Sequence, residues 1–435
     1  MKHWFRDRHF RSLLKNSGYL AISKVVSGIA GLATLAFAGR GLGVAMFGML
    51  VQIHSYAQAA SGLTKFQSWQ LIIRYGGNAL RDGDKSQFKD ATGFALGLDI
   101  ASGLGGMVLA VALLPLIGTW FGIEQRYIGM AMLYCTLLPT MGSATPIGVL
   151  RSLDRFDLMS WQATTYPIVR AILAGIAFAS DAPFVAYLVI WYVTDLGGDL
   201  YMWFLGWREL KRRKLRDGIR PTLRPTRLKN AWRFAINVNL TGSVNVALGP
   251  IARLIVGGLV GPSAAALFRV ASTLADSAHK PANMLAKAFY PEVVRMDFAT
   301  KKPWKLMLRG TALASLVAAL VIALLIIGGE ALVEALLGRD FIGAYPILLV
   351  LIFAPLIGIF IFGLPSMLYA LDRPDAPLKA KIAGALVYVA AVVPLTLQFG
   401  VIGAALAYVI CFAATALILI AQLGREYRRV RSPAA

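Results

Sequence analysis

Long apolar segments alternate with short polar segments along the whole chain. The stretches 313–329 and 386–421 are apolar on every side of a helix, whereas a helix on the surface of a soluble protein keeps one polar face. Since about 20 apolar residues cross a bilayer, the pattern predicts an all-α integral membrane protein with twelve transmembrane helices. The predicted spans cover residues 17–39, 44–64, 92–117, 127–148, 159–179, 183–206, 234–257, 263–284, 306–328, 343–370, 379–398 and 400–422.

The composition supports a membrane location. Hydrophobic residues make up 57% of the chain and charged residues only 15%, whereas soluble domains contain about 45–50% apolar and about 25% charged residues. The first 16 residues are too basic and too polar for a cleavable signal peptide. We therefore expect them to form a cytoplasmic segment.

The longest polar stretch, residues 207–234, separates the twelve predicted spans into six and six. Pro221 and Pro225 lie within it and argue against one continuous helix. The sequence thus predicts an N-terminal six-helix bundle (1–207), a basic cytoplasmic linker (208–233) and a C-terminal six-helix bundle (234–435).

The two predicted bundles share sequence landmarks. The phrase LDRxD occurs at 153–157 and again at 371–375, and Leu-Lys-Asn opens each half at 14–16 and 228–230. A glycine-rich segment also follows the first span of each half. Landmarks recurring at one half-chain offset indicate an internal duplication. Because six is an even number, we expect two parallel bundles related by a pseudo-two-fold axis along the membrane normal.

The repeated phrase lies in a predicted cytoplasmic turn of each half. The carboxylates of Asp154 and Asp372 are suited to capping the next helix. Arg155 and Arg373 are suited to binding carbonyls of the preceding helix or to pairing with an aspartate. Two interpretations stay open, namely a structural clasp between helices and an ion pair that breaks during transport.

Lysine and arginine are unevenly distributed between the two sides of the predicted topology. With the N-terminus inside, 37 of the 44 lie in inner segments and only Arg40, Arg126 and Arg339 lie in outer loops. Cytoplasmic loops carry such an excess, so both termini are predicted to be cytoplasmic. The bias also explains the net charge of +22. Basic residues spread over seven segments argue against a nucleic-acid-binding face.

Four basic residues remain inside the predicted spans. A charged side chain at the centre of a membrane helix costs about 2.5–3.5 kcal/mol on insertion scales, so each should face a cavity or a partner. Lys24 and Arg269 lie too deep for easy snorkelling and are predicted to face a cavity. Arg253 lies near an outer interface and could snorkel there or contact a ligand. Arg170 could contact a ligand or pair with Asp195 or Asp199 in its own half.

Several acidic residues and one histidine also lie within spans. Asp195 and Asp199 share a helix face because they are four residues apart. Together with Asp99 they could carry a proton or Na⁺, or balance the nearby cations. His54 is either a hydrogen-bonded interior residue or a proton carrier.

The sequence predicts no catalytic residue, metal site or cofactor. HExxH and GxSxG motifs and a phosphate-binding loop are absent. Cys135 and Cys411 lie within spans without ligand-spaced neighbours, which favours buried small side chains. The short outer loops leave little room for a catalytic domain on that side. A transporter is therefore favoured over an enzyme.

These features together resemble the multidrug/oligosaccharidyl-lipid/polysaccharide exporter superfamily, and most closely its Wzx-type polysaccharide (O-antigen) flippases. The resemblance rests on the opening at residues 14–48, the two six-span halves, the LDR turns and the basic termini. It implies a V-shaped cavity, alternating access and a cargo of undecaprenyl-pyrophosphate-linked oligosaccharide. The cargo would move from the cytoplasmic to the periplasmic leaflet for O-antigen, lipopolysaccharide or exopolysaccharide biosynthesis.

The resemblance also implies a cationic substrate site. In related lipid II flippases, cations on the first, second and eighth helices line the cavity, and Lys24 and Arg269 match the first and eighth. The second helix offers only Gln52 and His54. Arg170 and Arg253 are further candidates for substrate binding.

The expected location is the bacterial inner membrane. The expected partners are the lipid-linked oligosaccharide, membrane lipids, and polysaccharide polymerase and chain-length regulators. Two alternatives remain, a small-molecule or multidrug exporter of the same superfamily and a membrane glycosyltransferase or polymerase.

Overall fold

The computed structural model describes residues 8–294, 302–371, 373 and 375–431. Every regular element in these ranges is helical. The α-helices are α1 (Arg8–Thr64), α2 (Trp69–Leu71), α3 (Gly77–Arg81), α4 (Lys85–Ile117), α5 (Ile128–Cys135), α6 (Ala144–Ser152), α7 (Phe156–Ala179), α8 (Phe184–Arg212), α9 (Ala231–Leu259), α10 (Pro262–Val294), α11 (Lys302–Leu337), α12 (Ala344–Leu351), α13 (Phe353–Phe360), α14 (Leu364–Ala370) and α15 (Asp375–Arg431). A π-helical turn (Ile72–Gly76) joins α2 to α3, and short 3₁₀ turns lie at Thr119–Phe121, Gln125–Tyr127 and Arg339–Phe341.

Two of the helices are broken by a glycine. Gly43 interrupts α1 with φ 68° and ψ 169°, and Gly400 interrupts α15 with φ 58° and ψ −139°. Positive φ is strained for residues with a side chain, and the region around Gly43 is essentially restricted to glycine. Gly43 lies between the first two predicted spans, and Gly400 is the first residue of the last predicted span.

Two predicted spans are not continuous helices. The span 127–148 consists of α5 and α6 around the non-helical segment 136–143, where Pro139 lacks an amide hydrogen and Ser143 has φ 35°. The span 343–370 is likewise divided into α12, α13 and α14. Irregular backbone at membrane depth is tolerated where protein or a cavity surrounds it.

Five helical stretches in the described ranges are long and apolar enough to cross a membrane: Ser23–Thr64, Lys85–Ile117, Pro303–Leu337, Ala344–Ala370 and Asp375–Arg428. The first and last contain 42 and 54 residues, about twice the length that one crossing requires. The fold is therefore that of a multi-pass helical membrane protein. The total of twelve spans in two bundles stays a prediction.

The chain forms two compact units. The first contains Met1–Met46, Ile53–Thr119 and Ile123–Pro250, and the second contains Phe47–Gln52, Trp120–Gly122 and Ile251–Ala435. The two short segments in the second unit contact each other through the Gln52 side-chain amide, which donates to the Phe121 carbonyl at 2.9 Å. The predicted boundaries at 207/208 and 233/234 stay predictions.

The basic segment 208–233 is folded onto the first unit. Leu215 and Leu228 are buried in a core cluster with Phe88 and Phe94. The Thr222 amide donates to the Gly93 carbonyl at 3.1 Å. The segment therefore packs as part of the unit, although its sequence suggested only a linker. In the second unit, a separate core joins α11, α13, α14 and α15.

Candidate functional site

A carboxylate on α8 lies at the centre of a polar network in the first unit. Asp195 accepts a hydrogen bond from the Tyr134 hydroxyl of α5 at 2.7 Å and forms an ion pair with Arg170 of α7. His54 of α1 places Nδ1 2.9 Å from the Tyr134 hydroxyl oxygen and 3.5 Å from Asp195 Oδ2. We call these four residues the Asp195 cluster.

Arg170 is held by several groups at once. Its Nε donates to the Thr194 hydroxyl at 2.7 Å, and its guanidinium lies 5.5 Å from the centre of the Trp191 ring. Of the partners considered from the sequence, Asp195 is the one that Arg170 contacts. An intramembrane cation held this way is balanced within its own unit.

The hydrogen bonds of the Asp195 cluster indicate where His54 carries its proton. The Tyr134 hydroxyl has one hydrogen, which it donates to Asp195. It must therefore accept from His54, so the neutral imidazole is protonated on Nδ1. The opposite nitrogen, Nε2, is then the atom that can take up a further proton.

A second network surrounds the non-helical segment 136–143. The Lys65 ammonium donates to the carbonyl oxygen of Pro139 at 3.0 Å and to that of Met141. Asp99, only 1% exposed, accepts hydrogen bonds from the Ser68 hydroxyl at 2.6 Å and from the Thr145 amide at 2.8 Å. Fixed donors thus stabilise a buried carboxylate.

Asp199 belongs to the same network. It accepts a hydrogen bond from the Ser143 hydroxyl at 2.9 Å, and Lys65 interacts electrostatically with both Asp99 and Asp199. Lys65 therefore lies where it can offset negative charge on either carboxylate. Sequence reasoning missed Lys65, because it follows a predicted span and was counted with the cytoplasmic residues. The broken helix that provides its carbonyl ligands was not predicted either.

The two arginines of the second unit that the sequence placed within spans lie on α9 and α10. Arg253 is 6% exposed, so protein surrounds its side chain. It interacts electrostatically with Arg269, Tyr408 and Asp276. Arg269 is half-buried, and the Ser272 and Thr273 hydroxyls donate to its backbone carbonyl at 3.1 and 2.8 Å.

Lys24 differs from the other cations of the first unit's spans. It lies on α1 and is exposed. Among the side chains that the structure describes, none forms an ion pair with it. Lys24 is thus open to an anion from outside the chain.

The first LDR turn forms an ion-pair cluster, which we call the Arg155 clasp. Arg155 donates to both carboxylate oxygens of Asp157, at 2.9 and 2.8 Å, and to Glu209 of α8 at 2.8 Å. Glu209 also accepts from Arg212 and Arg213, each at 2.9 Å. The N-cap position of α7 is occupied by Arg155, and the capping role of Asp154 stays a prediction. Asp154 lies one residue earlier with φ 57°.

The hydrogen bonds of the clasp favour ionised carboxylates. The bonds from Arg155 are the main reason that the pKa of Asp157 lies below its ordinary value. Burial by itself raises the pKa of Glu209, but hydrogen bonds from Arg212 and Arg213 outweigh it, so the net pKa is lowered. Both groups therefore carry their charge at neutral pH.

The second LDR turn repeats this arrangement. Arg373 donates to Glu426 at 2.7 Å and lies 3.7 Å from Asp375. Glu209 and Glu426 each follow an arginine, at nearly the same half-chain offset as the turns. That repeated Arg-Glu pair is the sequence signal that could have identified Glu209 as the partner of Arg155 and Glu426 as the partner of Arg373. Asp372 lies outside the described residues.

Comparison with solved structures shows which class of protein has this fold. An inward-facing multidrug resistance MATE family transporter of the MOP superfamily matches with TM-score 0.74 and 14% identity, covering 94% of this chain and 96% of that chain. The lipid II flippase MurJ in an inward closed conformation matches with TM-score 0.71 and 13% identity, covering 95% and 89%. The fold is that of membrane transporters.

Comparison of sequences gives the family. A family model described as polysaccharide biosynthesis protein matches residues 13–297. The inner membrane protein YghQ of Escherichia coli (strain K12) is 40% identical over 351 residues, which is 80% of this chain and 99% of that protein. The chain belongs to the polysaccharide biosynthesis protein family. It is a multi-pass helical membrane protein, and the predicted resemblance to a polysaccharide-related family is confirmed.

Proposed function

We propose that the protein is a flippase that moves a lipid-linked oligosaccharide from the cytoplasmic to the periplasmic leaflet by alternating access. Two findings support this proposal, the family of polysaccharide biosynthesis proteins and a fold shared with a protein named lipid II flippase. Nothing covalent happens to such a cargo during transport. The protein needs only to bind its charged headgroup and to change conformation.

The observation that carries the proposal is the exposure of Lys24. Lys65 and Arg170 are the other cations of the first unit's membrane region with known contacts, and each is held by carbonyl or carboxylate oxygens. Lys24 alone among these three is exposed without an ion pair to a described side chain. A cation placed this way suits the diphosphate of a polyprenyl-linked sugar.

In the second unit, we assign Arg269 the same role. Its half-buried side chain retains exposed surface, whereas Arg253 is buried beside it. We propose that Lys24 and Arg269 each contact the diphosphate during the transport cycle. The buried Arg253 then adds positive electrostatic potential beside Arg269.

Complementation of surface polysaccharide in a deletion strain tests the proposal. A charge-assisted hydrogen bond contributes about 1.5–3 kcal/mol, so Lys24→Ala or Arg269→Ala should weaken binding roughly ten- to a hundredfold. Lys24→Arg keeps the charge and should retain much of the function. Arg126→Ala is the matched control, because Arg126 is exposed and pairs only with its neighbour Glu124 among described side chains.

Two outcomes would count against the flippase. The first is full complementation by the Lys24→Ala, Arg269→Ala double variant at normal protein levels, which would exclude the cationic site. The second is altered drug tolerance with normal glycans in the deletion strain, which would favour the multidrug exporter. Accumulation of lipid-linked oligosaccharide in the inner leaflet supports the proposal.

We also propose that the Asp195 cluster takes part in ion coupling. His54 is a titratable side chain that lies next to an existing ion pair. Asp99 and Asp199 instead interact electrostatically with Lys65. We therefore assign proton coupling to His54 and Asp195, and charge balance to Asp99 and Asp199.

A further inference from the structure

A pocket of about 480 Å³ opens at the C-terminal end of α8. Its lining combines aromatic and cationic side chains: Trp203, Phe204, Trp207, Arg208, Lys211 and Arg216. The three cations are exposed, and no carboxylate is among the lining residues. The pocket is therefore open and positively charged.

A stripe of exposed apolar side chains on one face of α8 ends at this pocket. Val185, Val189, Val193, Leu200 and Phe204 are between 44% and 56% exposed and recur at helical spacing. An exposed stripe of large apolar side chains suits contact with acyl chains rather than with a water-filled cavity. From its first to its last residue the stripe extends about 28 Å at 1.5 Å per residue, close to the roughly 30 Å of the hydrocarbon core.

The polar network described above lies on another face of the same helix. Asp195 and Asp199 lie outside the stripe on α8 and contact α5, α7 and the segment 136–143. The pocket is therefore separate from the Asp195 cluster.

Two acidic residues, Glu209 and Asp217, each follow a pocket cation in the sequence, and neither forms an ion pair with a pocket cation among the described residues. Glu209 follows Arg208 directly, but its carboxylate is bound by Arg155, Arg212 and Arg213. Burial leaves only 3% of its side chain exposed. The three pocket cations thus remain available for an anion.

We propose that this pocket binds the headgroup phosphate of an anionic phospholipid whose acyl chains lie along the apolar stripe. Arg208 and Lys211 follow Phe204 by one and two turns on the same face, where the phosphate of such a lipid lies. Tryptophan is enriched at this depth of the membrane. Basic pockets at the cytoplasmic interface are suited to anionic headgroups. In the predicted orientation, the lipid belongs to the cytoplasmic leaflet.

Native mass spectrometry of the purified full chain tests this assignment. The protein is supplied with phosphatidylglycerol or with zwitterionic phosphatidylcholine of the same acyl chains. The test variant is Arg208→Gln, Lys211→Gln, Arg216→Gln. The matched control is Arg220→Gln, Arg224→Gln, Lys229→Gln, which removes three exposed cations of the same basic segment outside the pocket.

We expect the wild-type protein and the control to retain phosphatidylglycerol at least tenfold better than phosphatidylcholine. The test variant should lose that preference, and Lys211→Gln alone should reduce it two- to fivefold. Lys211→Gln changes only one exposed side chain. It therefore still tests the lipid preference of the pocket if the triple variant does not fold. Equal retention by all variants, or equal retention of both lipids, would overturn the proposal. Displacement by inorganic phosphate, or stronger retention of a polyprenyl diphosphate, would overturn the assignment to phospholipid.

Discussion

His54 is the member of the Asp195 cluster whose charge depends most directly on pH. An unperturbed imidazole titrates near pH 6.5. Protonation on Nε2 would place a second cation beside Asp195, which already pairs with Arg170. Tyr134 also contacts His54. Because one carboxylate would then face two cations, protonation of His54 should weaken the ion pair between Asp195 and Arg170.

We expect transport of a lipid-linked sugar into proteoliposomes to vary severalfold between pH 5 and pH 8, because histidine is the side chain that ordinarily changes its charge in this range. His54→Gln retains hydrogen bonding but does not titrate there, so its pH profile should be flat. Tyr192→Phe is the control, since Tyr192 lies beside Tyr134 outside the cluster. A wild-type pH profile in the His54→Gln variant would remove the histidine from coupling.

At the scale of helices, the Arg155 clasp joins the turn before α7 to the end of α8. The equivalent pair in the second unit, Arg373 with Glu426, joins the turn before α15 to the last part of that helix. The same contact thus holds the same kind of turn in both units. This repetition supports the duplication inferred from the sequence.

The clasp predicts a loss of stability in acid. The folded-state pKa values of Asp157 and Glu209 are lowered, so their stabilisation is fully present above the unfolded values of roughly 4. It is lost as the pH falls through the lowered folded values. Glu209→Gln should cost about 1.5–3 kcal/mol at neutral pH, and its unfolding should depend less on pH below about 4.

Thermal unfolding in detergent at pH 3 to 7 measures this effect. Glu124→Gln is the control, because the pair of Glu124 with Arg126 is exposed and should contribute about 1 kcal/mol or less. Equal effects of the two substitutions at neutral pH would show that the clasp contributes little.

The break in α1 predicts a penalty at Gly43. A side chain there is strained by the backbone conformation, at a cost of about 1–3 kcal/mol. Gly43 and Gly31 both have open space where a Cβ would lie, so steric contacts do not distinguish them. Gly43→Ala should therefore lower the unfolding temperature, whereas Gly31→Ala, within the regular helix, should be neutral or stabilising. Similar unfolding temperatures for the two variants would show that the turn tolerates a side chain.

The sequence predicted the helical segments better than it predicted their breaks and contacts. The lengths of the apolar segments predicted the positions of α4, α7 and α8, because a helix needs about 20 apolar residues to cross the bilayer. These lengths could not show that Pro139 lies in an unwound segment, since that segment is stabilised by the distant Lys65. The partner of Arg155 was missed for a similar reason. Glu209 is 54 residues away, and only the fold brings it close.

At the scale of the whole molecule, the distribution of basic residues predicts the orientation in the membrane. Reporter fusions at Asp84, Arg213 and Ala376 should indicate the cytoplasm, and fusions at Asp181 and Gly261 the periplasm. All five positions lie between predicted spans. A periplasmic signal at Arg213 would contradict the count of six spans before the basic segment and the assignment of both termini to the cytoplasm.

The carbonyl oxygens that bind Lys65 are the kind of group that unwound helices in transporters offer to Na⁺. Here the positive charge is a side chain of the same polypeptide. Because this counter-ion is part of the polypeptide, each molecule contains one. It can neither dissociate nor be exchanged for a metal ion. The unwound segment therefore keeps its charge compensation at low and at high salt concentration.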